Sequence, residues 1–145
     1  METSTAIFLS MLIPTAAAAG NMVWRNQPNL RDGFTFVCAV LTFVCVLVVL
    51  DNVGSGTTIP VSMLEVFPGV ELAFNVEPLG LLFAIIASGL WILTHIYGVG
   101  YMRGNDEKHH ARFFACFAVA IAAVMGIAFA SNMFTLFQFL SLIHI

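Results

Sequence analysis

Charge is what this chain has least of. Lys, Arg, Asp and Glu make up 9% of its 145 residues, against about 25% in soluble globular domains, too little to dress a water-exposed surface of this length. The five Lys/Arg are outnumbered by eight Asp/Glu, which excludes the basic face that nucleic-acid binding requires. Cysteine is scarce too. Cys38, Cys45 and Cys116 all lie in apolar runs, at spacings that fit neither a zinc site nor a disulfide framework, so packing is their expected role. No glycine-rich phosphate loop, nucleophile triad or metal constellation occurs, so the chain is not expected to be an enzyme or to hold a cofactor. No internal repeat is present, and the only low-complexity tract is the short alanine run at Ala16–Ala19.

What is abundant is apolar residues, 60% of the chain, and they are grouped in long runs. With about 20 apolar residues needed to cross ~30 Å of hydrocarbon, the first span is residues 5–24, expected to bend at Pro14. Glu2, with no Lys or Arg beside it, weighs against a cleavable signal peptide. The second span is 33–50, between Asp32 and Asp51, the third is 79–102, and the fourth is 113–131, with Asn105, Asp106 and Glu107 suited to its amino end. A fifth apolar run at 133–145 is too short to span by itself. The expected fold is therefore all-α and transmembrane, with four complete helices and a truncated fifth.

The loops set an orientation. Arg25 and Arg31 lie between the first two spans, and Arg103, Lys108 and Arg112 between the third and fourth. By the positive-inside rule both connections are cytoplasmic, which places the amino terminus and the Asp51–Pro78 connection outside. Trp24 and Tyr101 then fall at the cytoplasmic interface. In the outer connection Val70, Leu72, Phe74 and Val76 alternate with polar or small residues, after Pro68-Gly69 and a Val61–Phe67 run. This period of two predicts a small outer β-hairpin. Gly54, Ser55 and Gly56 suit a flexible lead-in, and Pro78 fits the first position of the third helix.

Few side chains within the spans can do chemistry. His95 is the one readily ionisable group inside a span and hence a candidate for a proton path, since burying such a group requires a partner or water. The competing reading is a neutral histidine that donates to a carbonyl on another helix; a lone histidine without a carboxylate or lysine makes no relay. His109 and His110 are adjacent, so a helix would point them apart, and a solvated loop is expected. On the fourth span Ala118, Ala122, Gly126 and Ala130 recur every four residues, a ridge of small side chains for close helix packing.

The ordered motifs from Val76 to Phe137 resemble the third and fourth helices of the proton-conducting antiporter-like membrane family. They are VEPLG, LFA-x-x-ASGLW, IYG-x-GYMRGN-x-E, ARFF and AFASN-x-FTLF, with NLRDGFTFVCAVLTF from Asn29 and EVFPGVELAF from Glu65 upstream. The family includes the D-type component of multisubunit sodium/proton antiporters and the antiporter-like subunits of complex I, and the motifs are most similar to the D-type branch. The resemblance implies a multi-pass inner (plasma) membrane subunit that handles protons and monovalent cations among other antiporter or complex I-like membrane subunits.

The likeness stops after Phe139. The family pattern there has an aromatic residue followed by a proton-carrying glutamate, where this chain has Leu140 and Ser141 and then Leu142-Ile143-His144-Ile145. The expectation is an amino-terminal fragment of an antiporter subunit, inactive alone. Two rivals stay open: a proton-pumping, non-catalytic membrane subunit of an NADH-quinone oxidoreductase or membrane hydrogenase, and a small membrane scaffold complete as it stands.

Overall fold

The computed structural model describes residues 3–54, 61–67, 70–105 and 109–144, with the backbone alone described at 61–67 and 70–72. Five helices and one hairpin follow in the order α1 (Thr3–Val23), α2 (Pro28–Gly54), β1 (Val61–Phe67), β2 (Val70–Phe74), α3 (Pro78–Gly104), α4 (His110–Ala128) and α5 (Met133–Ile143). Helices α1 to α4 are each long and apolar enough to cross a membrane. At 1.5 Å per residue α1 and α4 measure about 30 Å and α2 and α3 about 40 Å, whereas α5 reaches only ~16 Å. The chain is thus a helical membrane protein of four spans and a shorter fifth helix.

Around the bundle α1 packs on α2, α2 on α3, α3 on α4 and α4 back on α1. The interior is built largely from small side chains: Ala6, Ala17, Ala39, Ala84, Ala118 and Ala123 are all fully buried, with Ser10, Thr42 and Ser88 among them. Large apolar residues such as Leu41, Val44, Leu82, Ile86, Leu90 and Leu93 face outward. In water this would invert the usual distribution; in lipid, close backbone approach through small residues is what drives helix association. Gly80 shows how tight that approach is, because a Cβ there would collide with the Ala128 carbonyl oxygen.

Several boundaries differ from the expected ones. Helix α2 begins at Pro28, before the apolar run, because proline at the first helical position needs no N–H partner. Arg31 and Asp32 are therefore helical and buried, not part of a loop or a span edge. Helix α3 likewise continues through Arg103, and Asn105 closes it by donating its backbone N–H to Tyr101 O. Asn105 thus caps α3 and does not open α4, which starts at His110 behind His109; Asp106 and Glu107 lie outside the described residues. Pro14 sits inside α1 without ending it.

The hairpin is antiparallel, with Val61 opposite Phe74 and Phe67 opposite Val70. The turn expected at Pro68-Gly69 lies outside the described residues, as do Ser55 and Gly56. Strand β2 stops at Phe74, short of Val76, and on its other side it meets the α4–α5 connection. Phe74 forms a bridge with Ala130, Asn75 N donates to Phe129 O at 2.9 Å, and Ser131 N donates to Ala73 O at 3.0 Å. Ala130 accordingly lies beyond the end of α4, which corrects its place on the small-residue ridge: the backbone that would continue the helix is taken up by β2. Ala118, Ala122 and Gly126 stay on α4 and are buried, with the Phe139 ring of α5 over Gly126.

Candidate functional site: a buried ionic cluster

At the end of the bundle where α1 stops and α2 begins, polar side chains from three helices converge. Asp32 is 6% exposed and bonds on both sides. Its Oδ1 accepts from Arg31 Nε at 2.8 Å, and its Oδ2 accepts from Arg103 Nη2 at 2.7 Å. Arg103 Nη2 also donates to Asn29 Oδ1 at 3.0 Å. Arg31 Nη2 lies 2.8 Å from the same Oδ1 but is not aligned to it, and this buried nitrogen has no hydrogen-bond acceptor among the described residues. The Arg31 guanidinium is backed by the Phe114 ring at 5.8 Å.

The backbone explains how α3 grips one residue of α2 twice. In a helix side chains lean toward the amino end while carbonyls point toward the carboxyl end. The carboxylate of Asp32 therefore turns outward to Arg103, and its carbonyl points deeper, where His95 Nε2 meets it at 3.0 Å. A carbonyl can only accept, so Nε2 is the donor, and in the neutral ring His95 Nδ1 is left as an acceptor, without a partner among the described residues. His95 is 3% exposed, its ring centroid 5.0 Å from that of Phe114. Phe114 also fills the space beside Gly98, where a Cβ would come within 3.2 Å of its ring.

Helix α1 joins through a neutral link: Thr35 Oγ1 donates to Asn21 Oδ1 at 3.2 Å and is 2.9 Å from Arg31 O, while Asn21 Nδ2 donates to Ala17 O. Deeper in the bundle, buried hydroxyls turn to their own helices. Ser10 donates to Ile7 O, Thr42 to Cys38 O and Ser88 to Ala84 O. The cluster can therefore lock α1, α2 and α3 together at one end and hold fixed positive charge there, since two arginines share one carboxylate.

Of the sequence candidates, His95 is in this cluster, whereas Ala118, Ala122 and Gly126 are packing surface on α4. Asp32, Arg31 and Arg103 do not stand out in the sequence because they flank the apolar runs. Pro28 is the signal that could have found the first two, since a helix starting there includes both.

Comparison with known proteins adds an independent observation. Residues 68–114 match the family model described as NADH-ubiquinone oxidoreductase (complex I), chain 5 N-terminus; this stretch runs from the hairpin to Phe114 and includes His95 and Arg103. The chain is also 25% identical over 108 residues to Na(+)/H(+) antiporter subunit A1 of Staphylococcus aureus (strain bovine RF122 / ET3-1), covering 73% of this chain and 13% of that protein. The subunit A1 of strain JH9 is 24% identical over the same length and shares. The chain thus spans about 13% of the length of the curated relatives it matches. From the hairpin to the start of α4 it is similar to the amino-terminal complex I chain 5 pattern, and over 108 residues the chain is distantly similar to antiporter subunits.

Proposed function

We propose that the chain is an amino-terminal portion of a monovalent cation/proton antiporter subunit, in which α1 to α4 form scaffold beside the ion path and the polar cluster fixes one end of that scaffold. The observation that carries this reading is the 108-residue similarity to sodium/proton antiporter subunit A1. The motif run from Val76 to Phe137 favours the D-type branch within the same assemblies. Other membrane subunits of such an assembly are the partners, and protons and monovalent cations are what it moves. The membrane is the inner (plasma) membrane, with the amino terminus outside and the arginine-rich end of the bundle cytoplasmic.

A second reading is favoured by the family description itself: a membrane subunit of a quinone-reducing complex, driven by redox chemistry elsewhere. Inverted membrane vesicles from native cells, with and without the gene, separate the two. Loss of the sodium-induced collapse of a pH gradient, with NADH-driven acidification intact, is the expected result of deletion. Loss of NADH-driven acidification alone would establish the second reading, and no change in either would refute both.

A further inference from the structure

The arginine-rich end of the bundle also contains a cavity that the ionic cluster does not fill. It measures about 510 Å³ and is lined by Arg25 and Asn26 of the α1–α2 connection, Arg31 of α2, and His109, His110 and Arg112 at the start of α4. No carboxylate lines it among the described residues. Arg25 and Arg112 are exposed, and among the described residues neither has an ion-pair partner; Asp32 is already shared by Arg31 and Arg103.

Arg31 supplies the second, independent observation. Its side chain is 4% exposed, it lines the cavity, and its Nη2, although 2.8 Å from Asp32 Oδ1, has no aligned hydrogen-bond acceptor among the described residues. A buried guanidinium N–H without an aligned acceptor is costly, so an oxygen placed in the cavity would satisfy it. The start of α4 adds to the demand, because His109 occupies the cap position without a side-chain cap bond. The first N–H groups of a helix are a site for anions. Guanidinium forks suit phosphate in particular, which offers several oxygens in bidentate geometry.

We propose that this cavity binds a phosphate ester, supplied in the membrane by the head group of an acidic phospholipid. The cavity lies where apolar spans end, at head-group depth, and basic pockets between helices on the cytoplasmic side suit such head groups. A water molecule takes up about 30 Å³ of liquid, so the volume admits a phosphate with part of its ester substituent.

The test uses the full chain in detergent, with lipid retention read by native mass spectrometry and stability by thermal unfolding. Phosphatidylglycerol is expected to be retained and to raise the unfolding temperature, and phosphatidylcholine to do neither. Arg25→Gln and Arg112→Gln should each weaken phosphatidylglycerol binding about fivefold. Arg103→Gln removes the same charge outside the cavity and should weaken binding less than either. Millimolar inorganic phosphate that displaces the lipid and stabilises the protein equally would identify soluble phosphate as the source, whereas failure to displace it identifies the lipid. Equal retention of the two lipids by the unmodified chain would overturn the proposal even if the variants do not fold. Unchanged phosphatidylglycerol binding by the double variant Arg25→Gln/Arg112→Gln would do the same.

Discussion

Asp32 is the residue on which the polar end of the bundle depends. It is the shared anion between a buried arginine and a half-exposed one: the Arg31 side chain is 4% exposed and that of Arg103 45%. Removing the carboxylate strands Arg31, and breaking a buried pair in this way costs ~3 to 5 kcal/mol. Arg103→Gln leaves Asp32 still paired with Arg31, and a solvent-screened partner of this kind contributes about 1 kcal/mol or less. Thermal unfolding in detergent should therefore show Asp32→Ala much less stable than Arg103→Gln. Similar losses in the two would mean that Arg31 is not stranded. His95 is legible in the sequence as an intramembrane ionisable group, and donation to a carbonyl on another helix is the geometry it has. That the acceptor belongs to Asp32 is not legible, because the pairing depends on how far α2 and α3 extend past their apolar runs.

Elements follow hydrophobic patterning where lipid or a close helix neighbour surrounds them, and depart from it where another backbone intervenes. The spans and the hairpin can be read from run length and the period of two, because each pattern reflects a uniform environment. The end of α4 cannot, since Ala130 is as apolar as the residues before it and leaves the helix only because β2 bridges to it. The same connection is held by Asn132, whose side chain accepts from Thr135 N at 2.8 Å, and by Thr135, whose hydroxyl accepts from Ala73 N at 3.2 Å. Losing such a cap costs ~1 kcal/mol. Helix α5 is then pinned to α4 by Phe139 over Gly126, where a Cβ would come within 2.4 Å of the ring. Gly126→Leu should thus lower the yield of folded, detergent-stable protein well below that of Val124→Leu, because a leucine must push the Phe139 ring and α5 aside. Equal yields from the two variants would show that α5 does not pack there.

For the molecule as a whole, the sidedness of the arginine-rich end decides which leaflet and which compartment the cluster meets. In the proposed orientation, which rests on the positive-inside rule, it faces the cytoplasm. Glu77 and Gln27 are both exposed and lie at opposite ends of the bundle. In a background lacking the three native cysteines, a membrane-impermeant thiol reagent applied to intact cells should label Glu77→Cys and spare Gln27→Cys. The reverse would invert the topology.

We propose that these helices are scaffold and not by themselves a conduit. Moving an ion through ~30 Å of hydrocarbon takes ionisable or hydrated groups along the path. Here Arg31, Asp32 and Arg103 are tied together at one end, His95 is bonded to a backbone carbonyl, and Ser10, Thr42 and Ser88 bond within their own helices. The most direct test is to reconstitute the 145-residue chain in liposomes and follow an internal pH-sensitive dye under an imposed sodium gradient. The predicted trace is that of protein-free vesicles. Sodium-dependent proton flux above that level, abolished by His95→Ala, would contradict the account and make His95 a proton carrier.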